Sequence, residues 1–217
     1  MRRGALPFDP TPETEESYEL ARSLLKESFA SWGVANAKEL ETDAGEAPIH
    51  YKWAYLDGHL TRWRCVDLDR VYLELHPAKV IVEKEELASV LDEARAFIAF
   101  LDEVGWLDLA SDDRDVLLDH LDRIEPTFYA NMADTARYSA GKKLWTSALA
   151  EGVRLDDEAA VQSFMASFNA RSLPEREAVL GRAPSEVSRR TPSGRATPPG
   201  TPPRPKQPSA SRRRKRR

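Results

Sequence analysis

The chain has 217 residues, 41% of them hydrophobic and 31% charged, with one cysteine, Cys65. That composition supports a packed core and excludes wholesale disorder, a membrane-spanning helix of roughly 20 apolar residues, a disulfide framework and a multi-cysteine zinc site. The net charge of −4 hides a division: residues 182–217 hold twelve Lys/Arg against one acid, Glu186, giving +11 and leaving −15 on residues 1–181.

The first segment, residues 1–13, carries Pro7, Pro10 and Pro12 and reads as a flexible N-terminus. Two arginines without an apolar stretch behind them do not make a secretory signal, so a cytoplasmic protein is the expectation. An acidic helical domain then spans 14–181. Its first helix runs from a Thr14 N-cap to Gly33 on a stripe of Leu20, Ala21, Leu24, Leu25, Ser28 and Phe29. Ser17 stands three residues after Thr14 where a capping box would have Glu, so no box is expected. Residues 35–48 lack periodicity and read as a loop.

Tyr51, Trp53 and Tyr55 alternate before Asp57-Gly58, which predicts a small β-hairpin across 51–63. Residues 66–76 fit both periods; helix is favoured, ended by Pro77. Lys79 to Val82 reads as an extended link. A helix over 84–104 has the clearest stripe, Leu87, Leu91, Ala94, Phe97, Ile98 and Leu101, and stops at Gly105. Ser111 caps the next helix, which Pro126 is expected to break or kink. Further helices are predicted over 136–150, ended by Gly152, then after an Asp156 cap, and from a Ser172/Glu175 capping box to about Leu180. The fold class is mainly α: a compact bundle of about six helices with one small hairpin.

The last segment, 182–217, is rich in proline, lacks aromatics and ends Arg212-Arg213-Arg214-Lys215-Arg216-Arg217. It reads as a disordered, Pro-rich basic tail, because it has too little apolar surface to offset its chain entropy. The six terminal cations are the candidate polyanion-binding residues. The tail is read as a nucleic-acid arm, a solubilising arm or one docking on the acidic body, or an anionic-membrane contact.

Several landmarks occur in a familiar order: Asp57-Gly58 before Trp63, Pro77-Ala78-Lys79-Val80, the Phe/Leu-rich run Phe97 to Leu101, Asn131-Met132-Ala133-Asp134, Gly141-Lys142-Lys143, and Phe164-Met165-Ala166-Ser167-Phe168-Asn169. Over about 50–170 the chain resembles an uncharacterised family of helical hypothetical proteins from high-GC bacteria. The resemblance implies a helical fold and brings no activity, cofactor or catalytic residue. The basic tail lies outside it.

No catalytic chemistry is legible. The histidines His50, His59, His76 and His120 form neither HExxH nor HxH. Asp112, Asp113, Asp115, Asp119, His120 and Asp122 are the best metal candidates, and read as a solvated helix face near a helix start. Cys65 lies near Arg62 and Arg64, which could activate a thiolate; without a partnered histidine it reads as a packing residue. There is no GxSxG, GxxxxGK[ST] or GxGxxG, and Gly141-Lys142-Lys143 reads as helix surface. Trp53, Tyr55, Trp63 and Tyr72 could stack bases, but read as packing aromatics on a body that repels phosphate. No catalytic residue, cofactor or metal is therefore expected. The expected function is a non-catalytic interaction module that binds a protein partner or itself; the alternative is a nucleic-acid-associated accessory protein that binds without sequence preference through its tail.

Overall fold

The structure, a computed structural model, describes residues 5–38, 40 and 45–181. The chain divides between residues 184 and 185, and all described residues lie in the first unit. That unit is mainly helical, and no described residue belongs to a strand. Its helices are α1 (Glu15–Ala35), α2 (Glu46–Tyr55), α3 (Cys65–Leu68), α4 (His76–Lys79), α5 (Leu87–Glu103), α6 (Arg114–Ala133), α7 (Ala140–Ala150), α8 (Glu158–Ala170) and α9 (Leu173–Val179). A π-helical segment, Asp69–Leu75, joins α3 to α4 without interruption.

The main core is built by α5. Leu91, Ala94, Phe97, Ile98 and Leu101 are buried, as the stripe requires, and Phe100 joins them. Phe29 from α1 meets Phe97 edge-on at 5.3 Å, and Trp63 meets the same ring at 6.1 Å. Leu117, Leu121, Ile124 and Phe128 carry α6 onto this layer. A satellite core of Ala148, Phe164 and Phe168 holds α7 and α8 together, with Val179 and Leu180 against it.

Several local expectations are corrected. The hairpin is absent: 46–55 is helix α2, starting at Gly45 in the left-handed region with φ +80°. A type I′ turn needs positive φ at both central residues, and of Asp57-Gly58 only Gly58 has it, at +73°. The Asp57 carboxylate instead accepts from the His59 N–H at 3.1 Å and from Arg62 Nη2 at 2.9 Å, and the Gly58 N–H returns to the Lys52 carbonyl at 3.1 Å. This loop closes α2 rather than a pair of strands. The helical course also brings Ile49 and Lys52 to one buried face. Lys52 has no exposed side-chain surface. Its Nζ lies 2.6 Å from Asp67 and 3.1 Å from Asp57, over the Trp63 ring at 5.1 Å. Burial raises the Asp57 carboxyl, but the His59 N–H, Arg62 and Lys52 outweigh it and hold the group at about 2.

The reading of residues 1–13 as flexible also needs correction for the described part. Phe8 is buried against Trp106 at 5.5 Å, the Leu60 N–H donates to the Pro10 carbonyl at 2.8 Å, and Trp53 Nε1 donates to the Pro12 carbonyl at 3.1 Å. Ser17 does complete a capping box: its hydroxyl accepts from the Thr14 N–H at 3.1 Å. The helix after Ser111 starts only at Arg114, with Asp113 as N-cap, and Asp157 rather than Asp156 caps α8. Pro126 sits inside an uninterrupted α6 at an exposed position and gives the Asp122 carbonyl no intrahelical donor. The box at Ser172 and Glu175 is formed as read.

Phe97 stands where α1, α5 and the Trp63 loop converge. Phe97→Ala should destabilise the protein by about 3–5 kcal/mol, while Glu85→Ala, exposed before α5, should stay within about 0.5 kcal/mol. Denaturant melts of both variants check this; equal stabilities would contradict the assigned core.

Candidate functional site

The continuous helix from Cys65 to Lys79 organises the functional region. Pro77 does not end it, contrary to the sequence reading; the helix closes at Val80, whose N–H donates to the His76 carbonyl at 2.9 Å. Two features disturb its hydrogen-bond ladder: the π segment, and Pro77, which has no N–H for the carbonyl four residues back, Leu73. Side chains from other elements donate to two of its carbonyls, that of Leu73 and, in the last turn, that of Pro77. Asn131 Nδ2 of α6 donates to the Leu73 carbonyl at 3.0 Å, and Lys142 Nζ of α7 donates to the Pro77 carbonyl at 3.0 Å. His76 Nδ1–H donates to the Val71 carbonyl at 3.2 Å.

His76 is buried in a ring cluster, stacked on Tyr72 at 5.0 Å with Tyr51 edge-on at 5.4 Å. Burial pushes its pKa down to about 4, with the Lys142 charge acting in the same sense. The imidazole is therefore neutral at pH 7. Burial also raises Tyr51 to about 12, and Tyr72 further.

Two cavities share the link Ile81-Val82 that follows this helix. The first, about 890 Å³, has aromatic walls from Tyr18, Tyr51, Trp53 and Tyr72. Tyr18 and Trp53 stack face to face at 4.0 Å. Five glutamates also line it, Glu15, Glu19, Glu46, Glu86 and Glu93, with Arg22 as the lining guanidinium. Arg22 bonds Glu46, and Lys26 reaches the same carboxylate at 2.6 Å. Glu93 accepts from the Gly45 N–H at 2.5 Å, which ties α5 to the start of α2. The second cavity, about 690 Å³, is walled by Leu87, Ala88, Met132, Ala133, Tyr138 and Leu149, with Lys142 entering from α7. Lys142 is 5% exposed, and burial lowers its pKa to about 8.

The residues singled out in the sequence are distributed as follows. Trp63 and Tyr72 are buried core, Trp53 lines the first cavity, and Tyr55 is exposed with Lys79 over its ring at 4.6 Å. Cys65 is not activated: burial and a hydrogen bond with Asp112 push its thiol up. The acidic set is dispersed into structural bonds. Asp112 accepts from the Cys65 N–H at 2.8 Å, His120 bonds Asp69 at 2.8 Å, and Asp122 bonds Arg95 at 2.8 Å. Among the described residues, no three His, Cys, Asp or Glu gather as a metal site. Lys142, read as helix surface, is buried. Arg212, Arg213, Arg214, Lys215, Arg216 and Arg217 lie outside the described residues.

Sequence reasoning missed His76, Asn131 and Lys142. A signal existed for Lys142: it shares helical spacing with the apolar Trp145 and Leu149 of α7. No helix among the described residues is long and apolar enough to cross a membrane. No protein-family description, curated protein or solved structure matches the chain.

The neutral, buried His76 links stability to pH. The unfolded imidazole takes up a proton near pH 6.5, while the folded one does so only near 4. Stability should therefore fall as pH drops from about 6.5 to 4, by up to about 1.4 kcal/mol per unit. Denaturant melts across this range should show that slope in the native protein and its loss in His76→Gln; an unchanged slope in the variant would contradict the assignment.

Proposed function

We propose that this protein is a non-catalytic helical interaction module, and that its first cavity receives a basic segment of a protein partner. The supporting observation is the lining of that cavity: five carboxylates and one guanidinium beside aromatic faces. A lysine or arginine side chain fits such a lining twice, through charge complementarity and through the ring faces. The charge of −15 on residues 1–181 steers basic partners toward this domain. Kinship with the helical family resembled over 50–170 and a cytoplasmic location belong to the same proposal.

A lysine- and arginine-rich peptide should bind the protein by calorimetry. Glu15→Gln, Glu19→Gln and Glu86→Gln together should weaken binding by about tenfold, the sum of three modest surface charge contributions. Asp113→Asn, Asp115→Asn and Asp119→Asn remove the same charge from a remote face and should leave affinity unchanged. Equal losses in the two triple variants would show a field effect without a site.

A second reading rests on the +11 of residues 182–217: an accessory protein that binds nucleic acid through the cations of 212–217. Counterion release makes affinity fall with salt, by about 10³–10⁵ between about 50 and 200 mM for six to ten phosphate contacts. Replacing Arg212, Arg213, Arg214, Lys215, Arg216 and Arg217 by Gln should flatten the salt slope, with native and scrambled duplexes competing equally. Gel-shift titrations at three salt concentrations test this; an unchanged slope, or a preference for one sequence, would overturn it.

A further inference from the structure

The second cavity joins an apolar volume to one buried cation. Leu87 and Ala88 of α5, Met132 and Ala133 of α6, and Leu149 of α7 provide the apolar walls. Lys142 reaches it from the first turn of α7, where the Ser139 side chain accepts from the Lys142 N–H at 3.2 Å and fixes the helix start.

The hydrogen bonds of Lys142 are incomplete. An ammonium has three N–H donors and no acceptor. One donor is used on the Pro77 carbonyl at 3.0 Å, and the Tyr138 ring face lies 3.8 Å from Nζ. Among the described residues no carboxylate lies within ion-pair distance of Nζ, so a remaining donor has neither acceptor nor counter-charge. A buried ammonium is expensive in this state, because its hydration is lost and no anion replaces it. The contrast with Lys52 is direct: that buried ammonium has two carboxylates, Asp57 and Asp67.

We propose that the second cavity binds a small amphiphilic monocarboxylate, with its apolar chain between α5, α6 and α7 and its carboxylate on Lys142 Nζ. The class follows from the lining. The walls exclude a strongly polar body. The lining holds two lysines, of which Lys84 is exposed and Lys142 buried, so the buried charge to be matched is a single one. The volume, about 690 Å³, lies within the range of small-molecule sites. The carboxylate would complete the donor set of Lys142 with a charge-assisted hydrogen bond. This site is separate from the acidic cavity and does not depend on the partner reading made there.

Titration of the full chain with octanoate, octan-1-ol and octyltrimethylammonium tests the proposal, since the three share a chain and differ in the head. The methyl resonances of labelled methionine report the location: of the three methionines, Met132 lines this cavity while Met165 packs in the satellite core. Octanoate should bind saturably and shift the Met132 signal while leaving Met165 unmoved. Octan-1-ol should bind at least about tenfold more weakly, the loss of one charge-assisted bond, and the ammonium not at all. Lys142→Met should abolish the preference for octanoate over octan-1-ol, and Lys142→Arg, which keeps the charge, should retain it. Equal affinity for acid and alcohol in the native protein, an unmoved Met132 signal, or a preference surviving in Lys142→Met would each overturn the proposal. If Lys142→Met does not fold, the head-group series on the native protein decides alone.

Discussion

Two backbone carbonyls on one helix, those of Leu73 and Pro77, receive their hydrogen bonds from side chains of other helices, and much of the architecture depends on that arrangement. A π segment followed by proline would leave the middle of a buried helix short of donors. Asn131 provides one for Leu73, while Lys142 serves the Pro77 carbonyl, one of the last four of the helix, and together they fix α6 and the start of α7 against the helix from Cys65 to Lys79. The Ser139 N–H adds a further tie, donating to the Ala78 carbonyl at 2.9 Å. The same helix lines the first cavity, and its Pro77 carbonyl holds Lys142, which lines the second. One side presents Tyr72 and His76 to the acidic cavity; its end leads into Ile81 and Val82, which border both.

The two buried lysines show how charge divides structure from function here. Lys52 is enclosed, with Asp57 and Asp67 as counter-charges, and its ion group joins α2 to α3 through the loop between them. Such a group is complete within the protein and has nothing to offer a ligand. Lys142 meets a carbonyl and a ring face, and stands beside an apolar volume. The acidic cavity has the opposite character: its carboxylates exceed its cations, and Glu46 and Glu93 are held in place by Arg22, Lys26 and the Gly45 N–H. One cavity suits a cation and the other an anion with an apolar chain.

Much of the fold was legible where one apolar stripe decided the answer. The α5 stripe is buried as read from Leu91 to Leu101, with Leu87 half-buried, and the predominance of helix follows from such stripes. Reading failed where a polar residue lay on a buried face. Lys52 interrupts the inward stripe of α2, so the alternation of Tyr51, Trp53 and Tyr55 suggested a strand; its two carboxylates come from loop and helix residues that no local pattern reveals. Lys142 was discounted for the same reason, a charge being read as solvated. Pro77 and Pro126 both looked like helix ends. The first is tolerated because Asn131, over fifty residues away, replaces the missing donor; the second lies at an exposed position of α6. Composition identified the charge division and its polyanion candidates, but the cavities depend on contacts between distant helices and have no signature in the chain.

The claim that side chains replace a missing backbone donor can be measured by a double-mutant cycle between Asn131 and Pro77. Asn131→Leu should destabilise the native protein by about 1–3 kcal/mol, the penalty for a buried carbonyl left without a partner. Pro77→Ala restores an N–H four residues after Leu73, so Asn131→Leu should cost markedly less in that background. Denaturant melts of the two single variants and the double variant give the coupling directly. A loss from Asn131→Leu that is the same with proline or alanine at 77 would contradict the account.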